Sequence, residues 1–412
     1  MKIKIKKIGF VELGIYCTFL LLPFTLFLNK IVFKDFRIAG IGIVNLMLYV
    51  FLCIVFIDSV INKKTYYNRN GIYLFYILFV VLHILKMLQP FNNFNTLYNF
   101  INKNQYYYIL PLCLLMLNNK KIDFLLLVKI IIYSSLIVSI ISIPMFLTSN
   151  YYGLASKVEL TYYKILGTSF TRMLSIFGSP LTAGTYFAIV FTIIYYVFKF
   201  NSLFYILTGG LNLLCMFLTF SKTAIIALML MFACKYMSEN KNVLKKLLKI
   251  IALIMSLIII IIFMTNKGIY FWNTNELFHN VRLTKWYSSL NMIKQHIILG
   301  NRFDILLNTK GSFETILSDN SFLFAIAIFG LLFWIIILIY VSIYLLKKDK
   351  EFKQRLMPII IMSIIFLFLY DFVQLFPANI LLIALYKIVE NIDTENFIRQ
   401  REHRNERKKL FN

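Results

Sequence analysis

Long apolar segments separated by short polar connections recur along the whole chain. Most of them are about 20 residues long, the length at which an α-helix crosses a hydrocarbon core about 30 Å thick. The pattern therefore predicts an all-α fold, a polytopic helical bundle in a membrane with about twelve transmembrane helices. The predicted spans are 8–29, 38–61, 72–90, 106–118, 123–148, 180–198, 203–220, 222–237, 247–265, 321–346, 356–373 and 375–390.

The composition agrees with that class. Hydrophobic residues make up 60% of the 412 and charged residues 15%, against about 45–50% and about 25% in soluble globular domains. The first span follows a charged start, MKIKIKKIGF, but it is too long for the apolar part of a signal peptide and no small-residue cleavage site follows. We therefore expect it to be retained. The five cysteines all lie in apolar segments, which predicts core thiols rather than disulfides.

The positions of Lys and Arg predict the orientation, because short cytoplasmic loops are enriched in both. With the N-terminus inside and twelve spans, the inner segments contain 27 of the 43 basic residues and the outer segments 14. Both termini are then cytoplasmic. The net charge of +25 is therefore interpreted as an orientation signal rather than a nucleic-acid footprint. The basic tail, 391–412, is expected to bind the anionic inner leaflet.

Lys222 is the one charged residue between Lys199 and Lys235. A lysine near the bilayer centre costs roughly 2.5–3.5 kcal/mol. If 200–234 were one long helix, every later loop would change sides, and the basic segments near the C-terminus would face outward. Two short spans joined by an outer hairpin at Lys222 avoid both problems. The alternative for Lys222 is a simple interfacial anchor.

The chain divides into five parts. Two connections, both predicted on the outer face, are long enough to be functional loops. The parts are the N-terminal helices 1–148, the central helices 149–265 with the first outer loop (149–179), the large outer loop 266–320, the C-terminal helices 321–390 and the cytoplasmic tail 391–412.

The large outer loop contains HNVRLTKWYSSLNMIKQHIIL, whose spacing predicts an amphipathic helix lying on the membrane or capping the bundle. Arg282 falls in its first turn, where the helix dipole and free N–H groups favour an anion. The alternative for Arg282 is a solvated residue on a surface helix. The predicted apolar face consists of Leu283, Trp286, Leu290, Ile293 and Ile297.

Two further positions border predicted spans. Arg172 precedes the turn Gly178-Ser179-Pro180, in which proline takes the first helical position. Asp319 and Asn320 stand where the large loop re-enters the membrane. Taken alone, Arg172 is more often a headgroup contact, and Asp or Asn before an apolar segment is more often a helix cap.

Several common signatures do not occur. The sequence has no GxxxxGK[ST], no GxGxxG and no Asp-x-Asp of the kind that holds a metal–nucleotide sugar, and its four histidines are scattered. It also has no repeated half, which many secondary transporters have.

Four segments together resemble the O-antigen polymerase and O-antigen ligase family of bacterial envelope glycosyltransferases. They cover roughly 172–333. One residue in them departs from the family's pattern, and another separates the polymerases of the family from its ligases. Lys222 stands where arginine is usual, and Asp319 stands where the ligases usually have histidine. The segments are RMLSIFGSPLTAGTYF, LTFSKTAIIALML, VRLTKWYSSLNMIKQHIILGNRF and DNSFLFAIAIFGLLF, the last with the family's Asn-x9-Gly spacing from Asn320 to Gly330.

The resemblance implies a metal-independent, cofactor-free transferase at the outer face of the cytoplasmic membrane. Donor and acceptor are then oligosaccharides on undecaprenyl pyrophosphate, polymerised into O-antigen, capsule or exopolysaccharide. Membrane lipids and a chain-length regulator and flippase of the same pathway are the further partners, and nucleic acid is not expected.

The resemblance also assigns roles to residues. Arg172, Lys222 and Arg282 would bind the pyrophosphate, since fixed cations can stabilise the charge that develops on this leaving group. Arg282 is thereby also a catalytic candidate. Asp319 would accept the proton of the acceptor hydroxyl or orient it, and Asn320 would bind acceptor hydroxyls. No metal ligand is expected.

Two other functions stay open. A ligase of the same family would transfer the glycan to a different acceptor; Asp319 and the small outer part favour the polymerase. A flippase or exporter of lipid-linked sugars would need charged residues along a path inside its spans. The candidates for such a path are Glu12, Asp58, Lys86, Lys129 and Asp371.

Overall fold

The computed structural model describes most of the chain, and every structural statement below concerns that part. The regular secondary structure of the described residues is helical apart from two short antiparallel hairpins. They comprise 9–34, 36–38, 41–67, 69–87, 105–154, 162–165, 168–198, 201–239, 281–301, 320–346, 350–369 and 372–391.

Twelve helices are described. They are α1 (Phe10–Val32), α2 (Ile43–Ile61), α3 (Arg69–Met87), α4 (Gln105–Leu117), α5 (Phe124–Thr148), α6 (Pro180–Phe198), α7 (Leu203–Leu218), α8 (Lys222–Glu239), α9 (Val281–Gln295), α10 (Ser321–Leu346), α11 (Lys350–Leu369) and α12 (378–391).

Helices therefore lie at eleven of the twelve predicted spans, and the remaining one, 247–265, lies outside the described residues. Six of the described helices are long and apolar enough to cross a membrane, and α4, α7 and the Asn70–Val81 part of α3 are shorter apolar helices. The protein is thus a helical membrane protein. The number of crossings and their direction stay predictions. The six are α1, α2, α5, α6, α10 and the Phe352–Leu369 part of α11.

Local signals set several helix ends. The Asp123 carboxylate accepts from Leu126 N at 3.0 Å and caps α5, which ends at Ser149 in the left-handed conformation. The predicted turn before α6 is confirmed: Gly178 has φ +65° and Pro180 is the first helical residue. The ends of the first outer loop are therefore fixed by short-range chemistry.

Two hydrophobic cores hold the helices together. In the larger core α6 lies among α5, α7 and α8, and α6 is the most buried of the six candidate spans. The smaller core joins the first part of α10 to Phe79 of α3, Tyr107 of α4 and Ile293 of α9. The fold thus consists of a bundle and a smaller aromatic assembly beside it.

The predicted span 321–346 is present as an apolar helical segment, but Gly330, with φ +79° and ψ 173°, bends it. Trp334 Nε1 donates to Phe322 O at 3.3 Å, and the two rings are 4.6 Å apart. In an uninterrupted helix, residues twelve apart would be separated by about 18 Å. The two halves of α10 therefore lie side by side, and the longer half, residues 331–346, is about 24 Å long.

The hairpins were not expected from the sequence. Strands β1 (Arg37–Ile38) and β2 (Ile41–Gly42) precede α2, so the predicted span 38–61 begins five residues later than expected. Strands β3 (Tyr162–Ile165) and β4 (Thr168–Thr171) lie within the first outer loop. The second hairpin ends directly before Arg172.

Candidate functional site

Lys222 begins α8 directly after a tight connection from α7, which we call the Lys222 turn (residues 219–222). Phe220 has φ +49°, and Ser221 N donates to Thr219 Oγ1 at 3.2 Å. Ser221 O accepts from Ile225 N at 3.2 Å, so Ser221 is the residue that precedes the helix. Lys222 is therefore at the first position of an 18-residue helix, where the dipole disfavours a cation and favours an anion.

Arg172 contacts the Lys222 turn from a distant segment. Its Nε donates to Thr219 O at 2.9 Å, and Nη2 donates to Phe220 O at 3.3 Å. Met173 N also donates to Leu218 O at 3.0 Å. The first outer loop is thus fixed to the carbonyl end of α7, where a cation is favourable. Two of the predicted cations, Arg172 and Lys222, come from segments that the fold brings together.

Ser221 adds a feature that sequence reasoning missed. Its side chain is fully buried, and its Oγ has no hydrogen-bond partner within the described segments. A residue before a helix usually caps it with this oxygen, whereas Ser221 Oγ lies beside Gly184 of α6. The Lys222 turn therefore combines a helix N-terminus, a lysine and a buried hydroxyl, the donors that bind phosphate oxygens.

The close fit of the turn depends on a small residue in α6. A Cβ added to Gly184 would lie 2.6 Å from Ser221 Cβ and 2.8 Å from Thr219 Oγ1. Any larger side chain would have to push the turn outward. The small residue is visible in the sequence, but the contact that requires it is not.

Lys30, also not anticipated, anchors the beginning of the first outer loop. Its Nζ donates to Leu154 O at 3.2 Å from the end of α1. Tyr151 OH donates to Arg172 O at 3.1 Å, which links the two ends of the loop. Lys30 is thus a further basic residue at this end of the bundle.

The amphipathic helix predicted in the large outer loop is α9. It packs against the smaller core and against α11. Ile293 is buried in the smaller core, Ser289 is fully buried, and the ring of Trp286 contacts Phe368 of α11 edge-on at 5.5 Å. Of the predicted apolar face, Leu290 and Ile297 do not pack against the described residues and are 44% and 50% exposed.

After α9 the chain meets the bend in α10, at a contact that we call the glycine crossing (296–301 against 327–332). Asn301 N donates to Ala327 O at 2.8 Å, and Leu331 N and Leu332 N donate to Ile297 O and Ile298 O at 2.8 and 3.3 Å. These bonds replace the helical ones that Gly330 interrupts.

Both glycines of the crossing are required by backbone contact. A Cβ added to Gly330 would overlap the carbonyl oxygen of Ile298 and lie 2.6 Å from Gly300 N. Gly300 has φ +73° and Gly330 φ +79°, a region that residues with a Cβ rarely adopt. Gly300 and Gly330, which lie in two of the segments that resemble the family, therefore touch each other.

Asn320 caps α10. Its Oδ1 accepts from Phe322 N at 2.9 Å and from Leu323 N at 3.1 Å, and the residue is 1% exposed. The capping interpretation is therefore correct for its side-chain oxygen. Asp319 lies outside the described residues. Arg282 lies in the first turn of α9 as predicted, and its side chain is also outside the described part.

The candidate residues thus form two groups. Arg172 and Lys222 meet at the Lys222 turn, on the larger core, and Asn320 caps the first part of α10, which lies in the smaller core. No group of three or more His, Cys, Asp or Glu side chains in the described segments could hold a metal ion.

Comparison with known proteins adds no relative. No protein-family model matches the chain, and no curated protein matches it.

Proposed function

We propose that the protein is a polysaccharide polymerase. It transfers a glycan from undecaprenyl pyrophosphate onto the non-reducing end of another lipid-linked repeat unit at the outer face of the cytoplasmic membrane. The single observation that supports this most is the contact of Arg172 with the Lys222 turn, 47 residues further along the chain. It assembles basic and hydroxyl groups beside a helix N-terminus in an apolar protein.

In this proposal the Lys222 turn holds the pyrophosphate. Lys222 provides a point charge, Ser221 Oγ and the first N–H groups of α8 donate to phosphate oxygens, and Arg172 fixes the turn and adds positive charge. As the glycosidic bond to the pyrophosphate breaks, negative charge grows on the leaving group. Fixed donors in low-dielectric surroundings stabilise that charge more than water does.

The other half of the proposed reaction belongs to the second group. Asp319 accepts the proton of the acceptor hydroxyl, or orients that hydroxyl, as the new glycosidic bond forms. Arg282, in the first turn of α9, supplies a further cation to the pyrophosphate. Asn320 holds the start of α10 in place beside Asp319.

The flippase alternative has less support. Glu12 accepts from Gly9 N at 3.4 Å at the start of α1, and Asp58 accepts from Asn62 Nδ2 at 2.7 Å at the end of α2. Lys129 is exposed in the second turn of α5. The side chains of Lys86 and Asp371 lie outside the described residues. The three described charges thus stand near helix ends, where they line no path through the bundle.

The test is Asp319→Asn in cells that lack the native gene. Because Asn320 supplies the oxygen that caps α10, this change should leave the helix start intact, while loss of the base should slow the reaction roughly 10²–10⁴-fold. At matched membrane abundance, the ladder of glycan lengths should collapse to single lipid-linked repeat units. A normal ladder would remove Asp319 from the mechanism. Failure of the gene deletion itself to affect polymer would reject the polymerase.

A further inference from the structure

Two short connections at one end of the bundle are joined through their backbones. One leads from α2 to α3 and the other from α4 to α5. Tyr67 N donates to Asn118 O at 2.9 Å, and Lys120 N donates to Thr65 O at 2.8 Å. We call this pair of connections the lysine junction (62–67 with 118–123). Its two halves are held in a fixed arrangement although they are more than 50 residues apart in the chain.

The lysine junction carries exposed positive charge. Lys64, Lys120 and Lys121 are all exposed. The sequence has no acidic residue between Asp58 and Asp123. Among the described residues, none of the three lysines forms an ion pair. Their charge is therefore not neutralised by the part of the protein that the structure describes.

The two flanking carboxylates have other partners. Asp58 accepts from Tyr66 OH at 2.5 Å and from Asn62 Nδ2 at 2.7 Å. Asp123 accepts from Leu126 N and caps α5. Both acidic side chains thus stabilise the local backbone and leave the lysines to an external anion.

The ammonium group of Lys120 is held in place. Its Nζ donates to Lys64 O at 2.7 Å and lies 4.9 Å from the centre of the Tyr67 ring. An ammonium group has three N–H donors, so this exposed group retains donors for an anion. A side chain that is already fixed also loses less conformational freedom on binding.

The surface beside the lysine junction is apolar. α2 is the least buried of the six candidate spans. Ile57 and Ile61 lie one turn apart at its end and are 56% and 71% exposed. On a helix that crosses a membrane, such side chains contact acyl chains. Lys64 follows Ile61 by three residues, and the exposed ring of Tyr67 is typical of the headgroup level.

We propose that the lysine junction binds the headgroup phosphate of an anionic phospholipid, whose acyl chains lie along Ile57 and Ile61 of α2. A zwitterionic lipid brings its own ammonium group, which the lysines repel, so the junction selects a lipid with net negative charge. The inference goes beyond the proposed polymerase function and does not depend on it.

Photocrosslinking to lipid tests the proposal. The photoreactive residue p-benzoylphenylalanine replaces Ile61 in the full chain, which is placed in nanodiscs of equal parts phosphatidylglycerol and phosphatidylcholine. Mass spectrometry measures the ratio of the two crosslinked lipids. We expect phosphatidylglycerol to exceed phosphatidylcholine roughly fivefold or more, because each lysine near the membrane surface contributes about a fivefold preference for an anionic lipid. Since both leaflets of the nanodisc have the same composition, the result does not depend on the orientation of the bundle.

Three controls accompany this measurement. Lys120→Ala/Lys121→Ala should reduce the ratio to about one, whereas Lys120→Arg/Lys121→Arg keeps both charges and should retain most of the preference. Lys353→Ala removes an exposed positive charge from the start of α11 and should leave the ratio unchanged. The photoreactive residue in place of Ile140, an exposed side chain in the second half of α5, corrects for any difference in the reactivity of the two lipids.

A corrected ratio of one at position 61 with all lysines present overturns the inference, and so does a preference that survives Lys120→Ala/Lys121→Ala. Where the double alanine variant does not fold, salt at about 1 M replaces it, because the Debye length is then about 3 Å. An unchanged ratio in that salt overturns the lysine junction as a lipid site. The glycan ladder that tests the polymerase is a separate measurement, so the two proposals fail independently.

Discussion

The Lys222 turn and the glycine crossing are both places where a helix stops inside a mostly apolar protein, but they satisfy its end groups differently. At the Lys222 turn a charged side chain, Arg172, donates to the carbonyls of Thr219 and Phe220. At the glycine crossing the backbone of 297–301 pairs with the backbone of α10. The first therefore depends on side-chain chemistry and the second on the absence of side chains.

This difference indicates different tasks. At the Lys222 turn the buried hydroxyl of Ser221 has no hydrogen-bond partner among the described residues, and α8 begins there, which favours an anion. The glycine crossing uses its backbone groups internally and fixes the bend of α10, which suits a rigid support. Substitutions at the two places should consequently damage different properties of the protein.

Gly330→Ala should have the largest effect, and on stability. The added methyl group overlaps the Ile298 carbonyl and the backbone must hold φ +79°. Together these cost about 3 kcal/mol or more. We expect little folded protein, measured as the thermal unfolding midpoint in detergent and as membrane abundance. Gly210→Ala is the control, because a Cβ at Gly210 meets nothing within 4 Å. Equal stability of the two variants would contradict the close backbone contact of Gly330 at the glycine crossing.

Lys222→Ala should have the next largest effect, and on activity. Removal of one fixed charge from a leaving-group site typically costs about 10²–10³ in rate, whereas folding should be close to normal since Lys222 is only half-buried. Polymer length in cells is the measurement. Lys222→Arg keeps the charge and should retain most polymer.

Lys63→Ala provides the matched loss of one positive charge for this experiment, because Lys63 is exposed in the connection between α2 and α3. It should leave polymer unchanged. Full activity in Lys222→Ala would show that Lys222 is an interfacial anchor. The Lys222 turn would then not differ from the glycine crossing by having a binding function.

Asn320→Ala should have the smallest effect, a loss of stability of about 1 kcal/mol from removal of the cap on α10. Asn320→Ser and Asn320→Asp retain a capping oxygen and should stay within a few tenths of a kcal/mol of the wild type. Chemical denaturation of the purified protein can resolve this ranking. If all three variants were equally destabilised, contacts other than the cap would be responsible.

Much of the helical architecture could be predicted from the sequence. Apolar length alone placed helices at eleven of the predicted spans, and local chemistry predicted the Gly178–Pro180 turn and the cap before α10. These features depend on residues near each other in the chain, so a short segment of sequence is enough to predict each of them.

The interruption of α10 could not be predicted in this way. The segment Ser321–Leu346 is apolar throughout and contains one glycine, which many continuous helices tolerate. Likewise, the period of α9 predicted one apolar face that includes Leu290 and Ile293, and only Ile293 of these two is buried. Both features depend on the neighbouring element rather than on the helix itself, because packing decides which face is covered and where a bend is stable.

The sequence by itself determined the membrane class, the approximate helices and the residue types that could bind a pyrophosphate, since these follow from apolar length and fixed charge. Only the tertiary structure decided that Arg172 contacts the Lys222 turn, that Ser221 leaves its hydroxyl unused, and that Gly300 and Gly330 touch. Those contacts join residues tens of positions apart. The physical reason is that backbone groups freed where helices end or bend in an apolar protein must find partners wherever the packing provides them.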